Sequence, residues 1–126
     1  MPKRVITGDG VVPSTYPFSQ IVEAGGLVFI AGQVGDQAGT GRPVEGGIEA
    51  ETRQMLDNVG RLLRVAGLDY ADVVQSTVYL TEFDEFARMN AVYREFFPID
   101  PPTRATVGVT RLASTYRVEI VVVAAR

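Results

Sequence analysis

Three polar residues stand in apolar company in this sequence, and their types set what chemistry is open to it. Arg104 lies near the start of "PPTRATVGVTRL", where Thr103, Ala105, Val107 and Val109 alternate with Arg104, Thr106, Gly108 and Thr110. Both sets are mostly small or β-branched, the pattern of a strand covered on both faces. A guanidinium cannot shed its charge, so an enclosed one needs an anion. That anion is either a carboxylate of the protein's own or one that arrives as a ligand, which the guanidinium fork grips through two parallel charge-assisted bonds. Glu119 interrupts "YRVEIVVVAA", with Arg117, Val121 and Val123 as its same-face neighbours. A carboxylate there either pairs with Arg117 or Arg104, or loses solvation and has its pKa raised, the condition of a general acid or base at neutral pH. Asn90 shares a helical stripe with Phe86, Tyr93 and Phe97. Its amide either satisfies a backbone group or faces a ligand.

The residue types that are missing narrow the chemistry further. The chain has no Cys and no His, which excludes disulfides, thiolate nucleophiles, Ser–His pairs and the usual zinc or haem ligands. Its one lysine, Lys3, is near a terminus, so a buried Schiff-base lysine is not expected. The other basic residues are arginines, which bind anions but do not shuttle protons. The Gly-rich "AGQVGDQAGTGRPVEGG" reads as a loop that follows a strand. It lacks the spacing and immediate helix of a dinucleotide fingerprint, and it has no Gly-Lys-Ser/Thr. Chemistry is left to carboxylates, Tyr, Ser/Thr, backbone groups and water, with no metal or cofactor expected.

The elements that must position these residues are legible from periodicity. In "GGIEAETRQMLDNVGRLLRVAG", Ile48, Thr52, Met55, Leu56, Val59, Leu62, Leu63 and Ala66 predict the buried face of a helix. Glu49, Glu51, Arg53, Asp57, Arg61 and Arg64 fall outside that face, and Gly67 is placed to end the helix. A second helix runs through "DEFARMNAVYREFF" with Asp84 as its expected N-cap, stopping at Pro98. Between the helices "DVVQSTVYLTE" alternates as a strand, and "SQIVEAGGLVFIAG" reads as two strands turning at Gly25–Gly26. "RVEIVVVAA" is apolar on both faces and so is expected to be buried on both sides. Helices of this amphipathic kind need a sheet to pack on, which predicts a two-layer α+β domain over residues 1–126 with no linker or repeat.

A chain of 126 residues with 46% hydrophobic and 21% charged residues has room for one core and is ordinary for a soluble domain. No apolar run approaches a membrane span, and the N-terminal "MPKRVITGDG" has no signal-peptide core, so a cytoplasmic location is expected. The net charge of −3 and the scattered arginines argue against a nucleic-acid surface.

Taken together, "YPFSQIVEAGGLVFIAGQVG", "TRQMLDNVGRLLRVAGLDYADVVQSTVYL", "FARMNAVYREFF", "PPTRATVGV" and "VEIVVVA" resemble, in order and spacing, the RidA (YjgF) family of enamine/imine deaminases. The resemblance runs from Pro13 to the C-terminus. It implies a chorismate-mutase-like α+β subunit, a mixed sheet with two helices on one face, assembled as a homotrimer with ligand clefts between subunits. It also implies that Arg104 holds the substrate carboxylate and that Glu119 positions the attacking water, these two being the catalytic pair. Asn90 and the backbone at Gly32 would line the cleft. Three lining positions depart from the well-studied deaminases: Phe18 replaces a tyrosine, Ala31 a serine and Thr106 a cysteine.

The function expected from this resemblance is a cofactor-free hydrolase of C–N bonds, of the 2-iminobutanoate/2-iminopropanoate deaminase type, giving a 2-oxo acid and ammonia. The lost polar lining leaves two alternatives. One is a trimeric carboxylate-binding module or metabolite sensor without turnover, and the other is a deaminase of bulkier, aminomuconate-type acids. A ribonuclease reading, attached to some relatives, is opposed by the missing histidine, the single lysine and the acidic balance.

Overall fold

The computed structural model describes residues 2–126. Its strands are β1 (Arg4–Val5), β2 (Ile21–Ala24), β3 (Leu27–Val34), β4 (Val73–Leu80), β5 (Thr103–Gly108) and β6 (Val118–Ala125); its helices are α1 (Gly47–Val65) and α2 (Phe86–Phe96). They form a six-stranded mixed sheet in the order β1-β2-β3-β6-β4-β5. The expected α+β architecture with two helices on one face is what the chain adopts.

Local chemistry explains the turns and ends. Gly25 and Gly26 have φ of 60° and 78°, the pair of positive values a two-residue hairpin between β2 and β3 requires. α1 ends where Gly67, at φ 79°, lets its N–H reach Arg64 O while the Leu68 N–H reaches Leu63 O. That pair of bonds satisfies carbonyls the helix would otherwise leave open. The β4–α2–β5 segment joins two parallel strands, as a strand–helix–strand crossover must.

The core lies between the sheet and the helices. The buried stripe of α1 is the expected one, and it faces Val118, Ile120, Val122 and Ala124 of β6. The alternate residues of β6 and its neighbours look out from the opposite, helix-free face, where Val5, Leu27, Phe29 and Val107 remain 38–49% exposed.

Five expectations are corrected. β5 is not covered on both faces: it is an edge strand, with Thr103, Ala105 and Val107 exposed. β6 is likewise buried on one face and half-buried on the other, because both helices pack on the same side. Glu51, expected on the outer face of α1, is 4% exposed, and its Oε1 accepts the Arg117 N–H at 2.6 Å. α2 begins at Phe86, and Asp84 lies in a short 3-10 turn (Phe83–Glu85) that makes no side-chain cap. There Glu85 is drawn inward by Arg117 at 2.8 Å and Arg88 at 3.0 Å. The Gly-rich stretch is also not all loop, since Ala31–Val34 complete β3.

Candidate functional site

Arg104 sits on β5 opposite Ser76 of β4, on the sheet face that carries the helices. Its guanidinium carbon is 4.7 Å from the centre of the Tyr93 ring and 5.6 Å from that of Phe86, within the range where a ring face attracts a cation. Tyr93 is held in turn by a 2.7 Å hydrogen bond between its hydroxyl and Ser76 Oγ. Burial pushes the Tyr93 phenol above its ordinary pKa, so the ring stays neutral beside the cation. Among the described residues Arg104 makes no ion pair. Its guanidinium carbon lies over both rings, while its hydrogen-bonding edge has no carboxylate of the protein's own.

That edge opens into a cleft of about 250 Å³ lined by Asn90, Tyr93, Arg94, Phe97, Pro101, Pro102 and Arg104. The i, i+3, i+4 spacing of α2 delivers Asn90, Tyr93 and Arg94 to one wall, and the Pro101–Pro102 pair entering β5 forms the other. Asn90 Oδ1 is buried without a partner, as is Thr106 Oγ1, two residues beyond Arg104 on the same face of β5. Orphaned polar atoms are costly and uncommon in folded proteins. Here they flank an unpaired guanidinium.

Glu119 is elsewhere. It lies opposite Tyr79 of β4 and Val34 of β3 on the helix-free face. Arg104 and Glu119 therefore point to opposite faces of one sheet, with β4 between their strands, and a single chain does not bring them together. Neither ion pair open to Glu119 forms: Arg117 binds Glu85 instead. Loss of solvation alone pushes the Glu119 carboxyl above its ordinary pKa of 4.5, so its proton is held more tightly than that of a surface glutamate.

Gly32 makes room for this carboxylate. The register slips between Ile30 and Gln33 of β3, so Ala31 and Gly32 form a bulge beside β6. A Cβ at Gly32 would overlap Glu119 Oε2. Gly32→Ala should displace the carboxylate and slow any proton transfer it performs about tenfold or more, the scale of a misplaced acid–base group. The melting temperature should change little, because the displaced atom ends a flexible side chain. Steady-state kinetics beside a thermal melt checks both.

The raised pKa of Glu119 has a sign that can be tested. A carboxylate that binds its proton more tightly folded than unfolded stabilises the fold less as pH rises above 4.5. Glu119→Gln should consequently melt higher than the parent at pH 7, and the difference should vanish below the unfolded pKa. Thermal melts at matched pH values measure it.

Phe18 is 53% exposed in the segment before β2 and joins neither group. Ala31 is tied to that segment by its N–H bond to Gln20 O at 2.9 Å. A larger cavity, about 340 Å³, lies between residues 12–16 and Arg61, but its polar groups already serve one another. Arg61 Nε donates to Gly10 O at 2.9 Å, Asn58 to Asp36 at 2.9 Å and Gln20 to Val12 O at 3.3 Å. That network fastens loops to α1, and the smaller cleft is where the unpaired Arg104 lies beside Asn90. Reading the sequence missed Tyr93 as the plate beneath Arg104 and Arg94 as a second cation. Their spacing of three and four residues from Asn90 was the available signal.

Comparison with known proteins agrees with this fold. A family model described as Endoribonuclease L-PSP matches residues 11–126. A RutC family protein of Pyrococcus horikoshii is 40% identical over 97% of both chains. The 2-iminobutanoate/2-iminopropanoate deaminase of Homo sapiens is 35% identical over 97% of this chain and 89% of its own. Among solved structures, E. coli TdcF with bound serine superposes with a TM-score of 0.89 at 32% identity, covering 98% of each chain. With a family model spanning nearly its whole length and full-length relatives of this similarity, the chain belongs to the RidA/YjgF family, whose members include reactive-intermediate deaminases.

Proposed function

We propose that this protein hydrolyses imino acids, and the enamines that tautomerise to them, to 2-oxo acids and ammonia. The observation that carries this reading is the Arg104 guanidinium: over the Tyr93 ring, without a carboxylate of its own protein, and facing an open cleft beside the orphaned Asn90 Oδ1. A relative with bound serine and a deaminase relative support a small carboxylate as the ligand.

An imine carbon is already electrophilic, so its hydrolysis needs a held substrate, an aimed water and a moved proton. Arg104 grips the carboxylate through its fork, and Asn90, on the cleft wall, offers its amide to the rest of the ligand. On the protonated imine, Glu119 accepts a proton as water adds to the C=N carbon, forming a neutral tetrahedral carbinolamine. It gives that proton to nitrogen and takes the hydroxyl proton as C=O forms and the C–N bond breaks. This leaves the 2-oxo acid and ammonia, which carries the last proton away as ammonium. A pKa raised by burial suits a carboxyl that must both take and return a proton.

Since Arg104 and Glu119 occupy opposite sheet faces in one chain, the site is completed by a second copy, in a homotrimer with clefts between subunits. The exposed apolar residues of the helix-free face and the unpaired edge of β5 support such an assembly. Sedimentation equilibrium at micromolar concentration should give a trimer mass. A clean monomer would remove both the assembly and the shared site.

The activity itself is tested by generating imino acids of several sizes in situ in the presence of semicarbazide. The protein should divert imine to oxo acid and depress semicarbazone formation. The competing reading is a carboxylate receptor without turnover, favoured by the hydroxyls missing at Phe18 and Ala31. It wins if oxo acids bind while hydrolysis stays at the rate in buffer.

A further inference from the structure

Resting on the imino-acid reading above, we propose that the Arg104 cleft selects ligands bearing a second carboxylate, which Arg94 receives. The walls that one chain gives the cleft carry two arginines and no acidic residue, and the Glu119 of a second copy acts on the water. Among the described residues neither Arg94 nor Arg104 forms an ion pair. The positions three and four residues from Arg94 on either side are Asn90, Ala91, Phe97 and Pro98, so no helical neighbour neutralises it. The adjacent Glu95 is already engaged by Arg53 through two bonds of 3.0 Å.

A ligand with one carboxylate satisfies Arg104 and leaves the second cation facing it unpaired. A ligand with two satisfies both, and each charge-assisted contact adds discrimination. Arg94 is one helical turn from Asn90, about 6 Å along the α2 axis. The second charge is therefore set back from the wall where the orphaned amide oxygen lies. Tyr93, Phe97 and the two prolines supply apolar surface for the methylenes between the two carboxylates. The substrate class is accordingly an imino acid with a distal carboxylate, and the product is the matching 2-oxo diacid.

The test is calorimetric binding of 2-oxo acids in pairs matched for carbon number: 2-oxoglutarate against 2-oxopentanoate, and 2-oxoadipate against 2-oxohexanoate. At low ionic strength the parent protein should prefer the diacid of at least one pair by about tenfold, the low end for charged hydrogen bonds because Arg94 is exposed. Added salt should reduce that preference. Arg94→Gln should bring the ratio close to one, Arg94→Lys should keep part of it, and Arg104→Lys should weaken both members of a pair together. Equal affinities within both pairs in the parent, or a preference that survives Arg94→Gln, overturns the proposal while leaving the imino-acid reading in place. Failure of every oxo acid to bind overturns both.

Discussion

Glu119→Gln should lower kcat for imino-acid hydrolysis by about 100-fold or more, the scale of general acid–base assistance. The substitution keeps the size of the side chain and one acceptor oxygen while removing the oxygen that takes a proton. In the proposed shared site Glu119 acts on the water and Arg104 holds the ligand carboxylate, so the part of Glu119 is confined to the transition state. Interactions made only there leave ground-state binding alone, and calorimetry with pyruvate or 2-oxobutyrate should show affinities close to those of the parent. The acid limb of the parent's pH–rate profile should lie above the ordinary carboxylate range, because burial raises the pKa of Glu119 and its ionised form is the base. That limb should disappear in Glu119→Gln. A parent no faster than buffer on every imine tested, with Glu119→Gln indistinguishable from it, removes the enzymatic reading and leaves a receptor.

Arg104→Lys should weaken 2-oxo acid binding by about 1.5–3 kcal/mol, roughly ten- to a hundred-fold, the range for hydrogen bonds to charged groups. Lysine preserves the charge but not the planar fork, and a strongly hydrated ammonium is a poorer partner for the Tyr93 ring, whose centre lies 4.7 Å from the guanidinium carbon. The fold should survive, because Arg104 neutralises no carboxylate of the protein whose loss of a partner would be costly. KM should rise with the dissociation constant, opposite to the pattern for Glu119→Gln. Unchanged affinity, or a variant that simply unfolds, would show that Arg104 serves the structure alone.

The sequence by itself determined several elements whose cause is local, though not the start of α2. The α1 stripe, the Gly25–Gly26 turn and the Gly67 stop follow from spacing and backbone freedom within a few residues, and each lies where the pattern put it. The α+β layering followed too, since two amphipathic helices and several apolar strands have few ways to bury their faces. Arg104, Glu119 and Asn90 stood out as candidates because each is a polar residue in an apolar pattern. What the tertiary structure decided is how they relate. β6, last in the chain, inserts between β3 and β4, a pairing between segments far apart in sequence that periodicity does not encode. That insertion and the register of β5 on β4 set which face each side chain takes, and they send Arg104 toward α2 and Glu119 away from it. Long-range packing also overrode local pattern at Glu51 and Glu85, where charged residues of helical segments turn inward to meet the Arg117 backbone and side chain. Alternation in a strand reports that two faces exist. Only the assembled sheet shows that one face of this one meets helices and the other meets none.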